Sequence, residues 1–502
     1  MRHLLLPPAL LLTPFLHATT YHVATTGSDS NDGLDLPTAW ATLQYAADQA
    51  VAGDSVVVHG GAYQGFAAMY HSGTAADPIV FTASTFPVLI SSPCAYNGLD
   101  GINVENVSWV VIEGFHVNNM PRAGIRTAVS DHVTLRYNVC DGNGKWGILT
   151  GFAENVLIEH NTCTNSQDEH GIYVSNSADA PIVRYNTLYG NNANGLHMNG
   201  DASMGGDGVI SNARIHGNTV FGNGAAGGSG INCDGVVNAE IFNNVLYDNH
   251  SSGISLYRID GGAPSTGNKV FNNTVINAAD ARWCLNITED CTGNQVLNNI
   301  LINQHPWRGS IVIASSALPG FVSDHNLVVN SLSPDGDATI LDLAGWQALG
   351  YDANSLVADP QAVLFADPLG GHFQPVGPGA QMVDAGTSAV SAIVSEDLDG
   401  LPRPQGAGFD IGCYELGIST GIGAGTTATP TVLLAPDHLS LPGADPNARV
   451  DVLASDGKVI VQGARPERVP LPPSASGLLL VRMIDAAGLP IQVIRVVRAG
   501  QA

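Results

Sequence analysis

The chain repeats a short pattern about every 23 to 26 residues between Ile102 and Val329, and this repeat restricts its fold more than any other feature. One mark of the repeat is an asparagine at the end of an apolar segment, found at Asn138, Asn161, Asn186, Asn218, Asn244, Asn273 and Asn299. The other mark is a glycine followed by an apolar residue, found at Gly124, Gly147, Gly171, Gly195, Gly230 and Gly253. A unit this short cannot bury a core of its own, so neighbouring units must stack.

Two columns of apolar residues accompany the asparagines. Three positions before each asparagine stand Leu135, Ile158, Val183, Ile215, Ile241, Val270 and Val296, and two positions after stand Cys140, Cys163, Leu188, Val220, Leu246, Val275 and Leu301. Because both columns are apolar in every unit, we expect them to point inward. About three short strands fit in each unit, which predicts an all-β fold, a right-handed parallel β-helix. A β-propeller needs four antiparallel strands in about 40 to 50 residues, which is too long for this repeat.

The asparagine is expected to end each strand. Its short amide can hydrogen-bond turn backbone, and the residue tolerates left-handed dihedral angles. The residue is therefore suited to the turn that follows each strand.

The ends of the chain differ from the repeat. Residues 1–18 have the basic start, short proline-broken apolar run and small residue of a secretory signal peptide, and the run is too short to span a membrane. Residues 19–415 are assigned to the β-helix, with a helix over Pro37–Ala50 capping its open N-terminal edge. Its last part, from Asn330, is expected to supply final turns and a closing cap. Residues 416–430 are rich in Gly, Thr and Ser, as in a linker, and residues 431–502 alternate like a small separate β-sandwich.

Charge excludes one class of partner. The formal net charge of −25 argues against nucleic acid, since phosphate binding needs a basic face. All ten Lys and Arg residues between His3 and Pro402 lie from Arg122 to Arg308, inside the repeat. They indicate either solvated strand exteriors or a local cationic groove.

The seven cysteines are an odd number. Cys140 and Cys163 share the inward column on adjacent units, where each is expected to behave as a small buried hydrophobe. A disulfide between them is the alternative, and Cys284 and Cys291 are spaced to close a loop. No Cys or His spacing indicates zinc.

A candidate site follows from the residues that flank each Gly-apolar pair. Stacked strands present their outward side chains as a flat, rigid surface suited to a linear polymer. The central units place on this surface Lys145, Trp146, His170, Tyr173, His197, Asn199, Asp201, Asn232, Asp234, Tyr257, Arg258 and Asp260. Three glycine-rich insertions, Asp201 to Gly208, Gly222 to Gly228 and Ile259 to Gly267, are expected to wall a groove.

The cluster suits β-elimination on a uronic-acid polymer. That reaction needs a cation that neutralises the carboxylate, a base that removes the neighbouring proton and an acid that protonates the leaving oxygen. The predicted catalytic residues are Lys145, His170, Tyr173, His197, Tyr257 and Arg258. Among them Arg258 or Lys145, or Arg282 from outside the set, neutralises the carboxylate; His197 or Lys145 is the base, and Tyr173 or Tyr257 the acid.

Two alternatives involve the aspartates. A Ca²⁺ ion held by Asp201, Asp207 and Asp234 is an alternative neutraliser. Asp201 and Asp234, on neighbouring units, are instead an acid and base pair for an inverting glycosidase.

Other residues are predicted to bind the polymer. Trp146, Trp283 and Trp307 offer sugar-stacking faces, with packing beneath loops as the alternative. Arg282 and Arg308 are suited to carboxylate or sulfate, unless each pairs with a nearby aspartate such as Asp280. The predicted substrate-binding residues are Trp146, Asn199, Asn232, Asp260, Arg282, Trp283 and Arg308.

Two family resemblances are present. The segments "YHVATTGSDSNDG", "GTAADPIVFTAS" and "WVVIEGFHV" resemble the pectate-lyase-like superfamily of right-handed β-helix proteins over about Tyr21 to Glu415. This implies the fold; the superfamily contains lyases, hydrolases, epimerases and proteins without catalysis. The Asp-Pro-His-Asp of alginate epimerases, the calcium-binding aspartates beside a lysine of pectate lyases, and the Asp-Asp and Gly-His-Gly of polygalacturonases are absent.

The C-terminal residues, with "VDVLASDGKVIVQG", "SGLLLVRMID" and "IRVVRAG", resemble the sorting domain of the type IX secretion system. This resemblance implies that the secretion machinery is a partner. The sequence as a whole predicts a secreted or cell-surface monomer, without a membrane span, that is a polysaccharide lyase on an acidic glycan. A non-catalytic glycan-binding protein and a glycoside hydrolase are the alternatives.

Overall fold

The computed structural model describes residues 18–84, 87–417, 433–434, 438–441, 449–454, 459–465, 468–471, 477–484 and 490–498. The predicted signal peptide, apart from residue 18, and the predicted linker, apart from residues 416–417, lie outside the described residues. The chain divides into two units, Met1–Ile418 and Ser419–Ala502.

The first unit is a right-handed parallel β-helix, as the repeat predicted. Three parallel sheets run along it, with twelve strands in sheets A and B and eleven in sheet C. Sheet A contains Thr20–Val23, Ser55–Val58, Ile79–Ala83, Val110–Glu113, Thr134–Arg136, Leu157–Glu159, Ile182–Arg184, Arg214–His216, Glu240–Phe242, Lys269–Phe271, Gln295–Leu297 and Val322–Asp324.

The other two sheets follow sheet A in each turn. Sheet B contains Gly61–Gln64, Val88–Ser92, His116–Asn118, Val139–Asp141, Thr162–Thr164, Thr187–Tyr189, Thr219–Phe221, Val245–Tyr247, Thr274–Asn277, Ile300–Asn303, Leu327–Val328 and Leu356–Val357. Sheet C contains Phe66–Ala68, Ile102–Glu105, Ala123–Ala128, Trp146–Gly151, Ile172–Ser175, Leu196–Asn199, Ser229–Asp234, Ser252–Tyr257, Leu285–Ile287, Ile311–Ile313 and Leu332–Ser333.

The predicted columns form the core. Leu135 pairs with Ile158 on the next turn, and Cys140 pairs with Cys163. Every member of both columns is fully buried. All seven cysteines are buried and free, so Cys140 and Cys163 pack as small hydrophobes. The interior is therefore a continuous stack of identical positions, which is how short units share one core.

The asparagines form a buried hydrogen-bonded ladder at the corner between sheets A and B. The backbone N–H and the side-chain amide of Asn186 both donate to Asn218 Oδ1 at 3.0 Å. The Asn218 amide in turn donates to the Val183 carbonyl at 2.9 Å. The same pattern links Asn138, Asn161, Asn186, Asn218, Asn244, Asn273, Asn299 and Asn326. Each side chain thus satisfies backbone groups that the bend removes from the strands.

The left-handed conformation that an asparagine tolerates does occur at this corner, but not at the asparagines of the ladder. It belongs instead to the preceding residue, with φ of 57° at Tyr137, 54° at His160 and 54° at Tyr185. The chain turns at that residue, and the asparagine after it points inward to close the corner.

The N-terminal helix is shorter than predicted. It covers Leu43–Gln49, because Leu36–Thr38 forms a 3₁₀ turn and Thr42 caps the helix by accepting the Tyr45 N–H. Leu43, together with the buried alanines of the helix and Trp40, packs into the same core as the first strands.

The segment after the last turns is more than the closing cap that the sequence predicted. A helix, Leu343–Gln347, buries Trp346 at the end of the core. Residues 358–417, here called the strap, then return along the outside of sheets A and B. The side chains of Asn243, Asn272 and Asn298 donate to strap carbonyls. The sequence carries no periodic signal for this path, because the strap packs through irregular loops.

The first unit also has minor elements. Two strand pairs join Ile210–Ser211 with Val236–Val237 and Phe365–Asp367 with His372–Pro375. Further 3₁₀ turns cover Ala202–Met204, Ser315–Ala317, Pro368–Gly370 and Ser388–Val390. Within the described ranges no helix is both long and apolar enough to cross a membrane.

The second unit contains two antiparallel sheets around a small core, which confirms the predicted β-sandwich. One sheet has Leu433–Leu434, His438–Ser440 and Val469–Pro470; the other has Arg449–Ala454, Val459–Ala464, Gly477–Ile484 and Pro490–Arg498. Leu439, Val450, Val452 and Val481 are among its buried residues. The turns Asp456-Gly457 and Ala487-Gly488 lie outside the described residues.

Asn218→Ala tests the ladder. The substitution leaves buried backbone groups on two turns unpaired, and we expect it to lower the free energy of unfolding by about 1–3 kcal/mol. Denaturant unfolding measures the change. The control is Asn192→Ala, which removes a single, solvent-exposed hydrogen bond to the Asp168 carbonyl. This variant should change the free energy of unfolding by less than about 0.5 kcal/mol. Equal effects from the two variants would contradict a structural role for the ladder.

Candidate functional site

The outward face of sheet C carries the predicted cluster. Tyr173, His197 and Asn232 occupy one register position on three successive turns. Adjacent turns of a parallel sheet are about 4.8 Å apart, so the side chains lie within contact distance of one another. The register therefore places these three predicted residues side by side.

Two of the predicted insertions wall one edge of this face. The Ala202 N–H donates to the Asp260 carbonyl at 2.9 Å, and the Gly262 N–H donates to the Gly208 carbonyl at 2.7 Å. These bonds tie the loop after Asn199 to the loop after Tyr257. The third insertion, from Gly222 to Gly228, precedes sheet C and lies at its opposite edge, so the face is a groove.

A directed hydrogen-bond chain crosses the groove. The Asn194 backbone N–H can only donate, and it lies 3.3 Å from His170 Nδ1. His170 Nδ1 therefore accepts, which places the proton of the neutral ring on Nε2. His170 Nε2 lies 3.0 Å from His197 Nδ1, and His197 Nε2 lies 3.2 Å from the Tyr257 hydroxyl. His170 Nε2–H therefore donates to His197 Nδ1, and the proton of the neutral His197 ring lies on Nε2. His197 Nε2–H is then the donor to the Tyr257 oxygen.

Tyr257 receives a second donor. The Asn232 side-chain amide donates to the same oxygen at 2.9 Å. With two donors on its oxygen, the hydroxyl proton of Tyr257 is directed away from both, and Tyr257 lines an open pocket of about 260 Å³. The hydrogen-bond chain therefore ends in a phenol that is oriented as a proton donor.

Burial fixes the protonation states along the chain. It lowers the pKa of His170 to about 3 and the pKa of His197 well below 6.5, so both rings are neutral near pH 7. Burial, with Asp234 nearby, raises the pKa of Tyr257 far above 10, so the phenol keeps its proton. Neutral donors and a protonated phenol agree with the direction of the chain.

Tyr173 and Asn199 lie beside this chain. The Tyr173 ring stacks on His197 with centroids 5.0 Å apart, and its hydroxyl accepts from Asn199 Nδ2 at 3.2 Å. The same amide lies 3.5 Å from an Asp260 carboxylate oxygen. Asp260 is exposed in the groove, close enough to both Tyr173 and Tyr257 to raise the pKa of each.

Lys145 is held in an ion pair. Its Nζ donates to Glu169 at 2.8 Å, and the Trp146 indole N–H donates to the other oxygen of Glu169 at 2.9 Å. The bond to Glu169 raises the pKa of Lys145, so the amine stays protonated. The ion pair with Glu169 thus disfavours Lys145 as the base that the sequence suggested. His197 also has both ring nitrogens engaged, so its lone pair is not free to take a proton.

The remaining cations divide by position. On sheet A, Arg136, Arg184, Arg214 and Lys269 pair with glutamates of neighbouring strands. On the groove side Arg258 donates Nε to the Gly261 carbonyl at 3.1 Å. The other cations on that side form the ion pairs Arg122–Asp100, Arg126–Glu105 and Lys145–Glu169. Among the described residues no ion pair within 4.0 Å includes Arg258, Arg282 or Arg308. Asp280, the suggested partner of Arg282, pairs with His250. The cations of sheet A are thus paired with glutamates, and the arginines without an ion pair lie on the groove side.

The three aspartates predicted to bind calcium accept hydrogen bonds from backbone N–H groups. Asp234 is buried, and its carboxylate accepts the N–H groups of Ile259, Asp260 and Gly261. Asp201 caps the turn at Ser203, and Asp207 accepts the Val209 N–H. In the part of the chain that the structure describes, no three His, Cys, Asp or Glu side chains are grouped to hold a metal ion. Because Asp234 is buried, it is also not placed to act with Asp201 as the acid and base pair of a glycosidase.

Open pockets follow the groove along the sheet. One of about 530 Å³ is lined by Trp146, Tyr173 and Asp201. A second, of about 260 Å³, is lined by Asn232, Tyr257 and Arg282. The hydrogen-bond chain His170–His197–Tyr257 lies between the two pockets, so a polymer that filled both pockets would cross it.

Comparison with known proteins agrees with this fold. The family described as right handed beta helix region matches residues 100–269, about a third of the chain. A comparison with curated proteins found no match. A crystal structure of pectate lyase Pel9A is similar with a TM-score of 0.55 and 15% identity, over 79% of this chain and 96% of that one.

Two other solved structures have lower scores. An alginate lyase from Paenibacillus sp. str. FPU-7 has a TM-score of 0.39 and 20% identity, over 53% of this chain and 93% of that one. A glycoside hydrolase has a TM-score of 0.43 and 11% identity, over 67% of this chain and 99% of that one. At these identities the likeness concerns the fold.

Two residues of the site were missed in the sequence. Glu169 anchors Lys145 and Trp146, and Asn194 sets the direction of the histidine chain. Both lie at positions flanking the Gly-apolar pair, so register could have placed them there. The decisive contact of Asn194, however, is through its backbone, which side-chain chemistry does not reveal.

The buried histidines predict acid sensitivity. Because the folded state keeps His170 neutral while the unfolded state binds a proton below about pH 6.5, stability is lost as pH falls from 6.5 toward 3. Each such histidine contributes up to about 1.4 kcal/mol per pH unit over its window. We expect the double variant His170→Asn, His197→Gln to show a shallower decline between pH 6.5 and pH 5, measured by denaturant unfolding.

The control for this measurement is His250→Asn. His250 has a side chain 38% exposed and pairs with Asp280. It should retain the wild-type decline. A double variant with an unchanged slope would show that the two rings are not the buried neutral pair described above.

Proposed function

We propose that the protein is a polysaccharide lyase that cleaves an acidic glycan by β-elimination in the groove of sheet C. The observation that carries the proposal is the hydrogen-bond chain that donates to the Tyr257 oxygen from two sides and leaves its own proton free to be donated beside an open pocket. Tyr257 is then the acid that protonates the leaving oxygen, while His197 and Asn232 stabilise the tyrosinate it becomes.

Arg258 and Asp260 supply the other two roles. Arg258 keeps its terminal guanidinium nitrogens free of ion pairs among the described residues and neutralises the uronate carboxylate. The exposed carboxylate of Asp260 is the base, in place of the predicted His197 or Lys145. Both residues lie on the loop that follows Tyr257, so the three groups are carried by one short segment.

The step balances as follows. Asp260 takes the proton on the carbon beside the uronate carboxyl group, and the electrons of that C–H bond form the new carbon–carbon double bond. The glycosidic C–O bond breaks, and its electrons stay with the oxygen, which takes the Tyr257 proton. Transfer of a proton from Asp260 to the tyrosinate through solvent restores the starting state. General acid and base groups of this kind each contribute about 10²–10⁴-fold to rate.

A glycoside hydrolase is the second candidate. Hydrolases of this type use two carboxyl groups, and the tied loops bring Asp201 and Asp260 to the same edge of the groove. A phenol is too weak an acid to replace a carboxylic acid in that reaction, which favours elimination. A protein that binds glycan without cleaving it is the third candidate.

One assay separates the three candidates. Alginate, pectate and a glycosaminoglycan are incubated with the protein, with and without EDTA, while ultraviolet absorbance and reducing ends are followed. A lyase produces an absorbing unsaturated sugar; a hydrolase produces reducing ends without that absorbance. Binding without either signal would replace the lyase by a glycan-binding protein. Loss of activity in EDTA would move the neutralising role from Arg258 to a bound cation.

Tyr257→Phe tests the proposed acid. It keeps the ring and removes the hydroxyl, and we expect the elimination rate to fall by about 10²–10⁴-fold. Tyr185→Phe, at a ring 41% exposed on the corner between sheets A and B, is the matched control and should retain full activity. A Tyr257→Phe protein that eliminates at the wild-type rate would refute the assignment.

His197 tests the orientation of the phenol. His197→Gln places an amide N–H near the position of Nε2 and should keep part of the donor to Tyr257, whereas His197→Ala removes it. We therefore expect the glutamine variant to be at least about 10-fold more active than the alanine variant, by comparison with the loss of one preorganised donor. Equal activities would indicate that His197 acts in another way.

We also propose that the protein is exported, through the signal peptide and the sorting-like C-terminal residues. Both features are sequence resemblances. Fractionation of cells that produce the protein with and without residues 431–502 is the test, and retention of the shortened chain inside the cell is the expected result.

A further inference from the structure

The cations on the groove side change character along the solenoid. In the N-terminal turns Arg122, Arg126 and Lys145 each form an ion pair. In the later turns Arg282 and Arg308 form none within 4.0 Å among the described residues, although Glu289 and Asp337 line the same pocket. The second half of the groove therefore presents guanidinium groups whose charge is not compensated by an ion pair.

Arg282 and Arg308 stand on adjacent turns. Each lies three residues before a strand, and those strands pair in register through Leu285 and Ile311. Adjacent turns are about 4.8 Å apart. Both side chains line a pocket of about 250 Å³, together with Trp283. Two like charges this close repel each other, and an anion between them removes that penalty.

One residue that lines this pocket has a buried donor without a partner among the described residues. Trp283 is 3% exposed, and its indole N–H has no hydrogen-bond acceptor among the described residues. A buried donor left unpaired costs about 1–3 kcal/mol, so its presence beside the arginines indicates a place for a ligand acceptor.

Trp146 provides the contrast within the same groove. Its indole N–H donates to Glu169, which also pairs with Lys145. At that end a protein carboxylate satisfies both the cation and the indole. At Arg282 and Trp283 no carboxylate of the described residues does so, and the position is open to an oxyanion from outside.

We infer that Arg282, Arg308 and the Trp283 N–H form a subsite for an anionic substituent, a carboxylate or a sulfate, on the bound glycan. The inference rests on the proposed function, since it deepens the description of the same groove. The forked guanidinium groups match the two oxygens of such a group, and the indole supplies a third donor. Glu289 and Asp337 accept from the sugar hydroxyls around it.

The subsite restricts the substrate. The pocket at Arg282 shares Ser252, Asn286 and Thr288 with the pocket beside Tyr257, so one polymer runs through both. The turn of Arg308 is two turns beyond that of Tyr257, about 10 Å along the axis. A glycan that uses both places therefore carries an acid group at the cleaved unit and another further along the chain, as a continuous polyanion does.

The test measures binding in the full chain with Tyr257→Phe as background, so that catalysis does not consume the probe. Polygalacturonate, a sulfated glycosaminoglycan and neutral dextran are titrated by calorimetry. Each arginine makes charge-assisted bonds, and we expect Arg282→Gln and Arg308→Gln each to weaken binding of a polyanion by about 10-fold or more. Arg308→Lys, which keeps the charge and loses the fork, should fall between, and dextran should bind no variant measurably.

Arg214→Gln is the matched control, because this arginine lies on sheet A and pairs with Glu240. It should bind like the background protein. Preference for polygalacturonate identifies a carboxylate as the ligand, and preference for the sulfated polymer identifies a sulfate. If the glutamine variants at 282 and 308 bind polyanions as tightly as the control, or if no polyanion binds, the subsite is refuted.

The failure of this inference is separate from the failure of the lyase. Elimination activity with unchanged binding in the arginine variants would leave the lyase and remove the subsite. Weakened binding in those variants, in a protein that never produces an unsaturated sugar, would leave the subsite and remove the lyase.

Discussion

Backbone groups at the corner between sheets A and B leave the strand ladders, and a buried file of asparagine side chains satisfies them from one turn to the next. An unpaired buried N–H or C=O costs about 1–3 kcal/mol, so a corner repeated along the whole solenoid could not stay dry without them. The asparagine ladder from Asn138 to Asn326 fixes the rotation of each turn relative to the preceding turn. Everything on the outer surface inherits that register.

The groove is one result of this register. Side chains 27 and 60 residues apart in the sequence, His170 with His197 and His197 with Tyr257, meet at hydrogen-bond distance because their strands are held in line. The sheet is rigid, so the chain of donors is set before a substrate arrives. Preorganised dipoles of this kind contribute more to catalysis than groups that must reorient during the reaction. The same register brings Arg282 and Arg308 side by side further along the groove.

Periodicity was enough to predict the solenoid, the inward columns and the surface that collects His197, Tyr173 and Tyr257. It could not show which groups are already used. Asp234 was a plausible ligand or acid by its position, yet three backbone N–H groups occupy its carboxylate. Lys145 was a plausible base, yet Glu169 keeps it protonated. These outcomes depend on loop backbone and on neighbours from other turns, which a repeat pattern does not encode. The strap was missed for a related reason, because its contacts are irregular.

The central claim is that Tyr257 delivers a proton to the glycosidic oxygen of an acidic glycan lying along sheet C. A crystal structure of the Tyr257→Phe protein with a bound uronate oligosaccharide tests this most directly. The account predicts a glycosidic oxygen within about 3–4 Å of the position of the missing hydroxyl, with the adjacent carboxylate at Arg258. An oligosaccharide bound on another face, or one whose glycosidic oxygens all lie far from residue 257, would contradict it.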